Sequence, residues 1–533
     1  MSIVQTAGRQ SQFWQFVHLY WRDAVVLLIP IAVALSHDIH RHFLTTPDGD
    51  LPFVASALRM NSGLDQIYTG HTGYVLFLLL SWWFKAMAAL GVVPSPTLGG
   101  LPPPGNEAFA AAFRDLVFAG RYFIAVGAGA FAVLFYRLCA RLTGVQTVAF
   151  AAALVFALSR PLGTQALMIY TELPSTFFLL SAFFAISVPG HDRRPLLRVF
   201  LIGAFVTLAM MSKMQAIGYV LGMVVLALAF GPDRDEVNWP RPEGPSRWLR
   251  NIVALTLIVP AAHMIATSVI WNTIEGASHN GWYHFVILGF TFGAMFLWGQ
   301  FYRVPVSLRV DSVLMLGAGI AIAWYAHLIR HTMVVTEKLA NFLDHLYFMS
   351  SMKRFEAHGD VAVDGLVKLG TLLRRAADST QEVLAGRVAL VDPRADAIEL
   401  LTVPILAGGL WLLYRREKKL AIIVLMLTGF SLGAELFTRL YQFSPKHQIY
   451  HAPWLLIAAA LLGAYFCRPI DGLWRAAVIA VTCGVLLLTG WGVLLPDMVD
   501  KQDIRRAYGE AVGYAPSLAD GFKRIVEQHG AVN

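Results

Sequence analysis

Charge is what this sequence has least of. Of its 533 residues, 14% are Asp, Glu, Lys or Arg and 57% are hydrophobic, whereas soluble domains carry roughly 25% charged residues. A chain so poor in charge cannot cover its apolar bulk in water, which excludes a soluble fold. Cysteine is also scarce: Cys139, Cys467 and Cys483 lie in or at the edge of apolar segments, which excludes a disulfide framework and a thiolate metal site. No cleavable signal peptide is expected either. Arg9 and Arg22 precede the apolar stretch Ala24–Ser36, no small-residue cleavage site follows, and the stretch is expected to stay as a first transmembrane helix with its N-terminus in the cytoplasm. Nor is there a concentrated basic face. The net charge of +8 is scattered over short loops, the bias of an ordinary membrane protein and not the footprint of a nucleic-acid binder. No internal repeat is visible.

What the chain has in abundance is apolar runs of about 17–25 residues, the length a bilayer core demands. They predict an all-α, polytopic transmembrane bundle of about 13 spans, near 16–37, 121–138, 145–160, 173–189, 197–212, 214–230, 251–270, 282–302, 311–329, 398–414, 420–436, 452–467 and 474–495. Gly73–Gly91 is apolar as well. If it lies at the outer interface without crossing, then Arg137 and Arg141, Arg193 and Arg194, Arg247 and Arg250, Arg303 and Arg309, and Arg415 to Lys419 all fall inside, as the positive-inside rule requires. A crossing at Gly73–Gly91 would put all of them outside, so the interfacial reading is preferred.

This topology assigns residues 1–495 to one transmembrane domain and 496–533 to a short non-cytoplasmic tail. The large outer segments are a first loop, 38–120, with interfacial helices, and a second, 330–397. Within them, 92–107 is Pro- and Gly-rich linker and Val361–Leu390 has the periodicity of amphipathic surface helices.

Ionisable groups beside spans are costly and usually functional. Five groups fall on the outer face. Asp48 and Asp50 follow the Pro47–Asp48–Gly49 turn and open a helix that runs through Met60. Tyr68 and His71 lie in the stretch I-Y-T-G-H-T-G-Y, and Glu172 stands just before a span in Y-T-E-L-P. Lys213 and Gln215 sit between two strongly apolar segments. Arg439, Lys446, His447 and Tyr450 occupy one late outer link, with a positive charge opposite to the bias for that face. Each has a plainer reading as a helix cap, an aromatic anchor or a snorkelling base. Together, two acidic and two basic patches face one compartment. Carboxylates suit the activation of a hydroxyl or amine nucleophile, and Lys and Arg suit a departing phosphate. Chemistry on a phosphate-linked lipid needs both. His37, His40 and His42 do not share a helix face and are not read as a metal site.

The order of these features resembles the C-type superfamily of polyprenyl-phosphate-sugar glycosyltransferases, the group that includes the lipid A aminoarabinose transferase and the protein O-mannosyltransferases. In that resemblance Asp48, with Asp50 as the alternative, holds the place of the first-loop acidic motif, and H-T-G-Y at His71 that of the His-containing segment. Thr171–Pro174 matches the acid that opens a span, Met211–Lys213 the later lysine, and Arg439–Tyr441 with Lys446 and Tyr450 the Arg-Tyr outer link. The resemblance implies sugar transfer, with inversion, from a polyprenyl-phosphate donor to a lipid, glycan or protein acceptor at the outer face of a bacterial inner membrane. Asp48, Asp50 and Glu172 would be the catalytic acids. Lys213, Arg439 and Lys446 would hold the donor phosphate, and Tyr68, His71, Gln215, His447 and Tyr450 would line the substrate site. No cofactor is assigned, and a divalent metal is left open. The alternative is a transporter or flippase of a lipid-linked sugar or similar anion.

Overall fold

The computed structural model describes residues 3–37, 39–40, 50–64, 73–104, 106–187, 195–213, 216, 219–220, 245–274, 306–328, 370, 373–381, 383, 397–441 and 445–467. Among them every regular element is helical. The helices are α1 (Ile3–Ser36), α2 (Asp50–Asn61), α3 (Tyr74–Ala89), α4 (Glu107–Thr143), α5 (Gln146–Ala157), α6 (Arg160–Leu167), α7 (Glu172–Ile186), α8 (Pro195–Ser212), α9 (Pro245–Ile274), α10 (Val306–Leu328), α11 (Ala397–Leu400), α12 (Thr402–Tyr414), α13 (Lys418–Tyr441) and α14 (Ala452–Cys467). A 3-10 turn, Pro445–Tyr450, joins the α13 region to α14.

Local chemistry sets the boundaries that matter. The Asn106 side chain accepts from the Ala108 amide and starts α4, which ends at Gly144 in the left-handed region at φ 66°, a conformation glycine adopts without a Cβ penalty. The apolar segment read at 145–160 is filled by α5, and the helix breaks at its C-terminal edge. Ser159 caps a new helix and Pro161 occupies its first turn, so α5 and α6 meet at a bend of 53°. A proline lacks the N–H that would have continued α5. Among the described residues, two helices are long and apolar enough to cross a membrane, Ala108–Thr143 and Lys418–Arg439, or three if the bent pair is one span. Shorter apolar helices include Tyr74–Ala89, Glu172–Ile186, Leu196–Ser212, Thr402–Tyr414 and Ala452–Cys467. The expected spans at 282–302 and 474–495, most of 214–230 and most of Val361–Leu390 lie outside the described residues.

The first-loop helix α2 begins where the sequence places it, but it is not a surface element. Ten of its twelve residues are buried. The Asn61 amide nitrogen donates to the Ser81 and Pro96 carbonyls, both at 3.0 Å, and pins α2 to α3 and to the linker that follows.

Helix termini define two ends of the bundle. At one end Arg137 of α4 pairs with Asp23 of α1. Asp311, fully buried near the start of α10, takes Arg250 at 2.8 Å and Arg247 at 3.1 Å from the start of α9. The opposite end gathers the start of α2, the start of α7, the end of α8 and the 3-10 turn.

Small residues let α8 and α10 approach closely, as in membrane bundles generally. A Cβ at Gly319 would lie 2.0 Å from the Phe200 carbonyl oxygen, and one at Gly203 would lie 2.5 Å from that of Leu316. Gly319→Ala is therefore expected to destabilise the protein by about 1–3 kcal/mol through overpacking. Gly433→Ala, with nothing within 4 Å of the added carbon, should leave the melting temperature in detergent unchanged or slightly raised. Equal melting temperatures for the two variants would contradict this helix packing.

Candidate functional site

Glu172 forms the first turn of α7 and Lys213 follows the last turn of α8. The two helices pack as neighbours, with the Ser175 hydroxyl donating to the Ala209 carbonyl at 3.1 Å. That hairpin brings the two charges together. Lys213 Nζ donates to Glu172 Oε1 at 2.8 Å, with side-chain exposures of 4% and 1%. His447 Nε2 lies 3.3 Å from the same oxygen, and the Thr171 hydroxyl donates to the other at 3.3 Å. A buried lysine and a buried glutamate each carry a desolvation penalty of several kcal/mol, so neither is tolerable there without the other.

The 3-10 turn that delivers His447 is held firmly. Trp454 Nε1 donates to the Tyr450 carbonyl at 2.8 Å, and the Trp454 ring meets Phe183 and Phe430 edge-on. Tyr450 stacks on Tyr219, with centroids 4.6 Å apart and planes 8° from parallel. Both rings are buried; among the described residues the Tyr219 hydroxyl has no hydrogen-bond partner, and Ser175 faces that of Tyr450. Burial pushes the Tyr450 phenol well above its ordinary range, and the Glu172 carboxylate pushes it the same way. The hydroxyl therefore stays protonated and can donate to an anion. A bound group offering acceptor oxygens would satisfy the Tyr219 hydroxyl, which lacks a partner among the described residues.

Asp50 opens α2 and is fully buried. Its Oδ2 takes Arg121 Nη2 at 2.7 Å and Nε at 3.2 Å, and its Oδ1 takes the Ile169 amide at 3.0 Å. Arg121 also donates to the Ile39 carbonyl at 2.8 Å. Asp50 thus clamps the first-loop helix to α4 and to the link 168–171, which leads directly into Glu172. Gly73 closes in on that link too: a Cβ there would stand 2.8 Å from Thr171 Cγ2. The described end of the H-T-G-Y stretch therefore lies beside Glu172.

Of the residues proposed from sequence, the structure brings Glu172, Lys213, His447 and Tyr450 together, and it places Asp50 on the neighbouring link. Arg439, in the last turns of α13, donates to Glu435 Oε1 at 2.9 and 3.1 Å. Lys446 falls on the 3-10 turn. Asp48, Tyr68, His71 and Gln215 lie outside the described residues. Sequence reasoning missed Arg121, Tyr219, Glu399, Glu435 and His451. For Glu435 the signal was present, since it is an acid inside the apolar run 420–436.

Because Asp50 and Arg121 neutralise each other in the interior, Asp50→Asn is expected to destabilise the protein by roughly 3–5 kcal/mol, the usual cost of stranding one buried partner. The double variant Asp50→Leu, Arg121→Met should recover much of that loss. Thermal unfolding in detergent reads both, and a single variant as stable as the unmodified protein would contradict the pairing.

Residues 106–262, which hold Arg121, Glu172, Lys213 and Tyr219, match the family model for dolichyl-phosphate-mannose-protein mannosyltransferase. No curated protein matches the sequence. Among solved structures, the chain is similar to the apo oligosaccharyltransferase of Archaeoglobus fulgidus at 14% identity and a TM-score of 0.45, covering 94% of this chain and 56% of that one. It is also similar to the oligosaccharyltransferase AglB of the same organism in complex with an inhibitory peptide and a dolichol-phosphate, at 12% identity and a TM-score of 0.44, covering 90% and 56%. The chain spans about half the length of these structures. Over residues 106–262, the C-type glycosyltransferase resemblance read from the motifs is met by a mannosyltransferase family model.

Proposed function

We propose that this protein is a membrane glycosyltransferase that moves a sugar from a polyprenyl-phosphate donor to an envelope lipid, glycan or protein acceptor. The observation that carries the reading is the buried set of Lys213, His447, Tyr450 and Tyr219 around Glu172. An ammonium, an imidazole and two buried phenol hydroxyls are donors suited to a phosphate monoester or diester. The match over residues 106–262 supports the same substrate class.

In this reading the acceptor hydroxyl or amine attacks the anomeric carbon while its proton passes to Asp48. The bond from that carbon to the donor phosphate oxygen breaks, and the electron pair leaves with the phosphate. Inversion at the anomeric carbon follows from a single displacement. Lys213 and His447 neutralise the growing negative charge, the tyrosine hydroxyls donate to the phosphate oxygens, and Glu172 keeps Lys213 in place. Asp50, saturated by Arg121 and the Ile169 amide, acts by positioning the segment that carries Asp48. Tyr68, His71 and Gln215 would complete the sugar and acceptor side, and Lys446 the phosphate side. The step as written uses no cofactor. By the charge bias of the loops, the site faces the periplasm across a bacterial inner membrane. A flippase would need charges near the midplane and access from both sides. The gathering of Asp50, Glu172, Lys213 and His447 at one end of the bundle favours the enzyme.

Lys213→Met is expected to lower transfer by about 10²–10³-fold, the scale for loss of one charge-stabilising donor, and to weaken binding of free polyprenyl phosphate. Lys213→Arg should retain part of both. Transfer from a panel of radiolabelled polyprenyl-phosphate hexoses, with native mass spectrometry for the free lipid phosphate, measures the two effects. Unchanged transfer and binding in Lys213→Met would refute the assignment.

A further inference from the structure

A second buried cluster lies on the far side of the same turn. Glu399 stands in the first turn of α11, Glu435 in α13, and His451 directly after the 3-10 turn. All three are buried, and one ligand atom from each lies within 4.8 Å of the others. His451 Nε2 is 3.4 Å from Glu399 Oε1, which is long for a good N–H···O bond. It is, however, about the edge of a tetrahedron built on bonds of roughly 2.1 Å, the usual length from a divalent ion to imidazole nitrogen or carboxylate oxygen.

One further atom points to a ligand. Gln448 donates through Nε2 to Glu399 Oε1 at 3.3 Å, while its own Oε1 is buried without a partner among the described residues.

We propose that Glu399, Glu435 and His451 form a divalent-cation site, with the Gln448 side-chain oxygen as a neighbouring donor. Two carboxylates, one imidazole and an amide oxygen make a hard to borderline set suited to Mn²⁺ or Zn²⁺. An ion here fastens the starts of α11 and α14 to α13, and through Gln448 and His451 it fixes the turn that carries His447 and Tyr450. The site thereby acts as a staple beside the phosphate pocket and does not itself touch the reacting atoms.

The test uses the full chain in detergent, stripped with chelator and then titrated with Mn²⁺. Bound ion is counted by metal analysis after gel filtration, and its environment is read by electron paramagnetic resonance. One Mn²⁺ per chain is expected, together with a melting temperature that rises with Mn²⁺ concentration. Glu435→Gln and His451→Ala should each weaken binding at least tenfold and abolish the melting shift, whereas Asp115→Asn, at a half-exposed surface acid, should leave both unchanged. Should the alanine variant fail to fold, His451→Cys keeps a ligand at that position and should shift preference toward Cd²⁺. No stoichiometric Mn²⁺ in the unmodified protein would mean a closed network of Glu399–His451 and Glu435–Arg439 pairs, and would overturn the proposal. Undiminished binding in Glu435→Gln and an unshifted preference in His451→Cys would overturn it as well. These readouts are independent of sugar transfer, so the metal site and the transferase reading can fail separately.

Discussion

A lysine ammonium almost wholly removed from water, 2.8 Å from a glutamate that is equally buried, constrains everything around it. The pair is stable only if the end of α8 and the start of α7 stay in register, because separating the charges would strand both in a low-dielectric interior. Buried ion pairs are poor sources of net stability. Replacing this one with well-packed apolar side chains would cost little or even stabilise the fold. Under the proposed function its presence has a reason: the ammonium is desolvated in advance, where a phosphate would displace part of its carboxylate contact.

The surroundings follow the same logic. Three separate segments converge on the pair: the link 168–171 anchored by Asp50, the loop after α8, and the 3-10 turn before α14. Each is fixed by an interaction that has no direct part in phosphate binding. Arg121 fixes Asp50, the α7–α8 hairpin fixes Lys213, and Trp454 fixes the turn. Preorganised donors around a developing charge are effective because the protein has spent the cost of orienting them during folding. The Tyr219 hydroxyl, stacked beneath Tyr450 and without a partner among the described residues, fits that pattern, since an orphaned buried polar atom is rare unless something else satisfies it.

Much of this was legible in the sequence, for definite reasons. Low charge and recurrent apolar runs dictate helices, and positive-inside bookkeeping assigned Glu172, Lys213 and the 439–450 link to one face before any contact was known. The structure puts Glu172, Lys213 and His447 in contact. Where the reading was incomplete, tertiary pairing was responsible. Nothing local to Arg439 announces its pairing with a glutamate one helical turn away. Asp50 reads as a helix-opening acid whether it faces solvent or Arg121, whose partner lies 71 positions away in the chain. The break between α5 and α6 was written in Ser159 and Pro161, but a hydropathy window averages across it. His451 and Glu399 looked ordinary because their meaning depends on each other.

The most direct test of the central claim is a structure of the full chain in lipid nanodiscs with a polyprenyl phosphate bound. The account predicts phosphate density in contact with Lys213 Nζ, His447 and the Tyr450 hydroxyl, at hydrogen-bonding separations of about 2.7–3.2 Å, with the lipid tail leaving toward the bilayer. Phosphate bound elsewhere, with Lys213 and Glu172 still sealed against each other, would contradict it.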